Sequence, residues 1–167
     1  MNFEGADELA LALSGRVREH GLQGLPATAV LPPDAYVIRP IDAPDVPNDE
    51  LREATRWALR DEIDFDPTEA VVDCIPIPAE LRDATRSVFG VAARSERVDQ
   101  LVEVRRDIGL EPTAVEIRET TLLHLAPLVG DPGEGQAFLR LSPKRSRFGV
   151  VRGGQLCMAR DLVTDLS

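Results

Sequence analysis

Aromatic side chains are scarce in this chain: its 167 residues include five Phe, one Trp and one Tyr. The interior must therefore be Val, Leu, Ile and Ala, which suits packed layers of helix and sheet in one domain or two small subdomains. Lysine is almost missing, Lys144 being the only one, and arginine carries the positive charge of a chain whose net charge is -10. That balance excludes a nucleic-acid duplex or an anionic membrane as main partner, since both reward clustered cations. Cysteine is limited to Cys74 and Cys157, far apart and without a C-x-x-C pair, which reads as two buried, reduced thiols. No run of about 18 apolar residues exists for a membrane span, and the start MNFEGADEL lacks the basic region of a signal peptide. The expectation is a cytoplasmic chain with no direct membrane insertion.

Motifs that carry chemistry are missing as well. His20 and His124, the only histidines, have no Cys, His or carboxylate at metal-ligand spacing. There is no G-x-S-x-G, no G-x-x-x-x-G-K-[ST] and no G-x-G-x-x-G. Catalytic, cofactor-binding and metal-binding residues are accordingly expected to be none. Asp64, Asp66 and Asp73 are the nearest thing to a ligand site, and a small acidic ligand-binding domain is the reading they support.

What is present is a regular succession of amphipathic segments. Ala6 to His20 has helical spacing and stops at Gly21; Ala27 to Leu31 and Tyr36 to Arg39 read as strands parted by a proline turn. Pro40 to Pro47, with three prolines in eight residues, reads as a rigid loop. A helix capped by Asn48 or Asp49 then runs to about Ile63, with Leu51, Ala54, Ala58 and Leu59 inward and Trp57 beside them. Arg52, Arg56 and Arg60 form its wet arginine face. Strands are expected at Ala70 to Pro76 and Ser87 to Ala93, with a charged excursion from Pro78 to Arg86 between them. A helix from Glu96 to Ile108, a strand from Thr113 to Ile117 and a helix from Thr120 to Val129 follow. After the linker GDPGEG, Ala137 to Leu141, Arg147 to Arg152 and Gln155 to Ala159 alternate as strands, the last two joined by Gly153-Gly154. The fold class is α+β.

The order of these elements is similar to that of the PilM family: a strand ending in Arg39-Pro40, a proline loop, PNDELREATRW, an acidic turn, AVVDCIPIP, then SVFGVAAR, ERVDQLVEVRRDIGLEP and TAVEI. MshI-type pilus-biogenesis proteins and the GspL cytoplasmic region of type II secretion are relatives of that family. The resemblance covers roughly residues 8 to 160 and implies a partial actin-like (ASKHA) fold. It makes 1–35 part of subdomain 1A, 36–110 a 1C-like strand-helix-strand-strand insert, 111–129 a return to 1A, and 135–167 the opening hairpin of a 2A-like region. The phosphate hairpin of the family does not stand before Phe3, and alignment puts Arg140 and Ser142 at the acid and glycine of its second phosphate motif. The resemblance thus implies no bound nucleotide and no enzyme activity.

What it implies instead is a scaffold of a type IV, MSHA-like pilus platform, or in a second reading a GspL-like secretion scaffold. It would be peripheral to the inner membrane through its partners. The partner is the N-terminal peptide of a PilN-like inner-membrane protein, with an assembly ATPase and a second copy of the chain as further ones. The sequence stretches assigned to that peptide are Tyr36, Val37, Ile38 and Arg39 as a strand edge, and Arg52, Arg56 and Arg60 on the helix.

Overall fold

The computed structural model describes residues 6–78, 87–131, 133–141 and 145–163. The described residues form three small sheets and four α-helices. Helix α1 (Ala6–Glu19) ends where Gly21 takes a left-handed conformation, φ +65°. Strand β1 (Pro26–Val30) then pairs in parallel with β5 (Glu111–Glu116), so two segments remote in sequence make the first sheet.

The second sheet is antiparallel in the order β2-β4-β3, built from β2 (Tyr36–Asp42), β3 (Ala70–Pro76) and β4 (Ser87–Arg94). Thus β1 and β2, parted by the proline turn, belong to different sheets. Strand β4 lies between two partners and is buried from Ser87 to Ala93, which its small and β-branched run SVFGVAA permits on both faces. The expected loop beginning at Pro40 is corrected here: β2 runs through Pro40 to Asp42 with unbroken register, Pro40 opposite Phe89. Proline is tolerated because β2 is an edge strand.

Helix α2 (Leu51–Ala58) covers one face of this sheet. It is shorter than the expected helix, and its N-cap is Glu50 with no side-chain cap bond, in place of Asn48 or Asp49. Its buried residues are Leu51 and Thr55, followed by fully buried Leu59, whereas Ala58 is exposed. The side-chain position expected of Ala58 falls to Thr55, whose hydroxyl accepts a 3.2 Å bond from Cys74 Sγ and so tolerates burial. Gly90 of β4 makes the close approach possible, because a Cβ there would lie 2.9 Å from Thr55 Cγ2 and 3.1 Å from Leu59 Cδ1. Leu59, Ala70, Val72 and Ala92 form the core on this side.

On the opposite face, α3 (Ser95–Asp107) and the β1-β5 pair pack a core of Leu31, Tyr36, Val91, Ala93 and Ile117. Gly109 ends α3 with φ +88°. Farther along the same face, α4 (Arg118–Val129) meets the third sheet in a core of Ile77, Phe89, Ala126, Val151 and Leu156. That sheet has the order β6-β7-β8, from β6 (Gln136–Arg140), β7 (Arg145–Arg152) and β8 (Gln155–Val163). Gly153 and Gly154, both with positive φ (58° and 71°), make the two-residue turn that the sequence predicts between β7 and β8. The expected excursion at 79–86 and the motif position Ser142 lie outside the described residues. Among those residues no helix is long and apolar enough to cross a membrane.

Candidate partner-binding site

The start of β2 forms one wall of a groove of about 480 Å³, through Asp34, Ala35, Tyr36 and Val37. The turn after α2 supplies the other wall with Glu62, Asp64 and Phe65, and Arg94 and Arg97 close one end. The acidic turn is shaped locally: Asp66 accepts bonds from the backbone N–H of Thr68 (2.8 Å) and its hydroxyl (2.7 Å), capping the 3-10 turn Pro67–Glu69. These bonds, the side-chain one first, hold the Asp66 carboxyl below its ordinary pKa. Arg94 lies 4.4 Å over the Phe65 ring and pairs with Glu69 at 3.1 Å, which fixes the aromatic side of the groove. An open strand edge beside an aromatic, charge-rimmed groove is the geometry that takes a short extended segment.

The residues singled out from the sequence are distributed unevenly. Val37 and Ile38 are half-buried on opposite faces of the β2 edge, and Arg39 is exposed with its Nε 2.8 Å from Glu62. Arg52 bonds Asp73 of β3 at 3.0 Å, at the far edge of the sheet from β2. Arg60 is exposed beside Asp61. Arg56 corrects the expectation of a wet arginine face: its side chain is 21% exposed and donates to the carbonyls of Pro67 (2.9 Å) and Ala70. Helix α2 thus presents Arg52 but not Arg56 to solvent, and exposed Arg60 lies beyond its last residue, Ala58. Trp57 is 47% exposed, its Nε1 donating to Glu53 Oε1 at 3.1 Å.

Tyr36 faces inward. Its hydroxyl donates to Glu119 Oε2 at 2.7 Å and accepts from Arg147 Nη1 at 3.1 Å. Glu119, in the first turn of α4, is fully buried, and Arg147 of β7 also donates to its Oε1 and, through Nε, to Asp161 of β8 at 2.7 Å. Burial alone pulls the Arg147 guanidinium down, but the bonds and charge from Asp161 and Tyr36 more than offset it, and the net direction is up. Sequence reasoning missed Glu119, Arg147 and Asp161. An acid in a helix's first turn reads as a solvated partner of the helix dipole, and alternating arginines in a strand read as its wet face.

Asp64, Asp66 and Asp73 are not brought together. Asp64 faces Arg94 at 3.8 Å, Asp66 caps its turn, and Asp73 bonds Arg52 and the Cys74 backbone. Among the described residues no group of three His, Cys, Asp or Glu could hold a metal ion. Cys74 and Cys157 are free and half-buried rather than buried, and burial pushes the Cys74 thiol up.

No protein-family model matches the chain, and no curated protein sequence does. Solved structures do. A PilM-PilN type IV pilus biogenesis complex matches with TM-score 0.73 and 26% identity, over 93% of this chain and 48% of that one. Cyto-EpsL, the cytoplasmic domain of EpsL, an inner-membrane component of the type II secretion system of Vibrio cholerae, matches with TM-score 0.60 and 13% identity, over 91% and 56%. The chain therefore spans about half the length of the solved chains it matches. These likenesses define the class of architecture, a partial actin-like fold of mixed helix and strand. Within that class the chain is PilM-like, with GspL-type cytoplasmic domains as further neighbours in fold.

Proposed function

We propose that the chain is a cytoplasmic scaffold of a type IV, MSHA-like pilus platform that holds the N-terminal peptide of a PilN-like inner-membrane protein. The observation that carries this reading is the match to the PilM-PilN complex over 93% of the chain. The match to Cyto-EpsL, at 13% identity, speaks for the fold alone, so a pilus partner is preferred to a secretion partner. In this reading the peptide lies against the β2 edge at Tyr36–Arg39. Val37 and Phe65 give it apolar contact, Arg39 and Arg60 face its polar groups, and Arg52 is too far round the sheet to share one short segment with them. Tyr36 contributes backbone, since its side chain is engaged inside. Residues 1–35 and 111–129 are assigned to subdomain 1A, 36–110 to a 1C-like insert and 135–167 to the opening of 2A.

The scaffold binds without turning over a substrate. Arg140 stands in β6 opposite Arg147, a cation where the family's phosphate motif carries an acid, which opposes a Mg²⁺ site at that strand. The test is titration of the labelled PilN-like N-terminal peptide into the chain, alongside Val37→Asp and Phe65→Ala. Saturable binding to the parent, weakened about tenfold or more in both variants, is the expected result. Undiminished binding by both variants removes the groove from the reading, and no binding by the parent removes the reading itself.

A further inference from the structure

Tyr36 belongs to two structures at once. Its residue lines the groove beside β2, and its hydroxyl closes a buried network that reaches Glu119, Arg147 and Asp161. The phenol has one proton to give and gives it to Glu119, while its oxygen accepts from Arg147. Glu119 is fully buried, so water cannot replace either of its partners if they move. The network therefore has one well-satisfied arrangement, and that arrangement fixes three things together: the start of β2, the first turn of α4 and the β7-β8 ladder. Tyr36 and Arg147 are 111 residues apart in the chain, and the apolar core beside them is continuous, since Ile38 and Ile75 pack against both the Tyr36 cluster and the Leu156 cluster.

We infer that occupation of the groove and seating of the β6-β7-β8 sheet are coupled through the Tyr36–Glu119–Arg147–Asp161 network, so that a segment docked on β2 stiffens β7 and β8. This rests on the groove being the peptide site, but the coupling itself is a property of the unliganded chain. A docked segment restrains Asp34 to Val37 and hence the Tyr36 ring; a fixed hydroxyl favours the single arrangement of Glu119 and Arg147 that holds β7. Reciprocity follows: loosening the network at its far end must loosen the groove and weaken docking by the same factor.

Asp161 is the place to cut, because it touches the network from β8, is 38% exposed at its side chain, and does not line the groove. Amide hydrogen exchange of Asp161→Asn is compared with that of the parent and of Arg160→Ala, a neighbouring change on the exposed side of β8. The expected result is exchange about threefold to tenfold faster in Asp161→Asn, both in β7-β8 and at residues 34–37, with Arg160→Ala unchanged at 34–37. Tyr36→Phe, read in the opposite direction at β7-β8, gives the same answer should Asp161→Asn fold poorly. Faster exchange confined to the mutated side in both variants overturns the coupling. The PilN-like peptide adds a second arm: binding to Asp161→Asn weakened by a similar factor supports the coupling, and equal binding to parent and variant overturns it while leaving the groove reading intact. If the parent binds no peptide, the proposed function fails, and the exchange of the free chain alone decides the coupling.

Discussion

On the α2 face of the β2-β4-β3 sheet, two ion-paired arginines remain at the rim in water, Arg39 with Glu62 and Arg52 with Asp73, all with side chains at least 46% exposed, while Arg56 turns in to backbone carbonyls. On the α4 face, Arg147 is drawn inside against a carboxylate with no exposure at all. Both sides have an apolar core between β4 and a helix, through Ala92 on the α2 side and Phe89 on the α4 side. The difference lies in what charge does. At the rim an ion pair exchanges water for a partner at almost no net gain, so those residues are free to serve a surface role. Inside, each member of the pair depends on the other, since losing one strands a charge in a dry site. The α4 face is therefore specific, and the α2 face is adaptable.

Arg147→Ala is the strongest way to break this contrast. It leaves Glu119 buried without an opposite charge, held by the Tyr36 hydroxyl alone, and urea unfolding is expected to show a loss of about 3–5 kcal/mol. The double replacement Glu119→Leu with Arg147→Met sharpens the point, because removing both charges should restore most of that loss. Gly90→Ala tests the α2 face by packing. Its Cβ would crowd Thr55 and Leu59 at 2.9 and 3.1 Å, and a loss of about 1–3 kcal/mol is expected in the same assay. Arg52→Ala should change stability by less than about 1 kcal/mol, with the difference fading as salt is added.

The smallest effect is acid-dependent. Asp66 has a folded pKa depressed by its bonds to Thr68, so its contribution is fully present above the ordinary aspartate range and is lost as pH falls through the depressed value. Thr68→Val removes the larger of those bonds. Thermal unfolding of parent and variant should differ near neutral pH and converge well below about pH 4.

Much of the element order was legible in the sequence, for reasons that particular residues make plain. Gly109 and the Gly153-Gly154 pair mark backbone that only glycine adopts readily, and each falls where a helix or hairpin turns. The apolar spacing of α3 and the run of β4 name their elements unaided. Strand partners were not legible: nothing local says that Pro26–Val30 pairs with Glu111–Glu116 rather than with Tyr36–Asp42. Three prolines from Pro40 to Pro47 spell a loop, and only the position of β2 at the sheet edge lets Pro40 stand inside a strand. The arginines and β2 edge of the candidate site were visible as residue types, but not their placement, since Arg56 turns inward and Arg52 lies across the sheet. Glu119 carried no signal, because a buried acid and a solvated one look alike until the basic partner from another sheet is in place.

Pro40 has one more consequence. A long, regular, open strand edge invites other chains to stack on it without limit, and natural sheets guard against that with charge or with a ring that cannot donate. Here the ring sits in mid-strand, four residues after Tyr36, with Arg39 beside it. On the proposed reading the edge hosts one short visitor, while the ring gives poor footing to a growing stack, which disfavours fibril-like self-assembly along this strand.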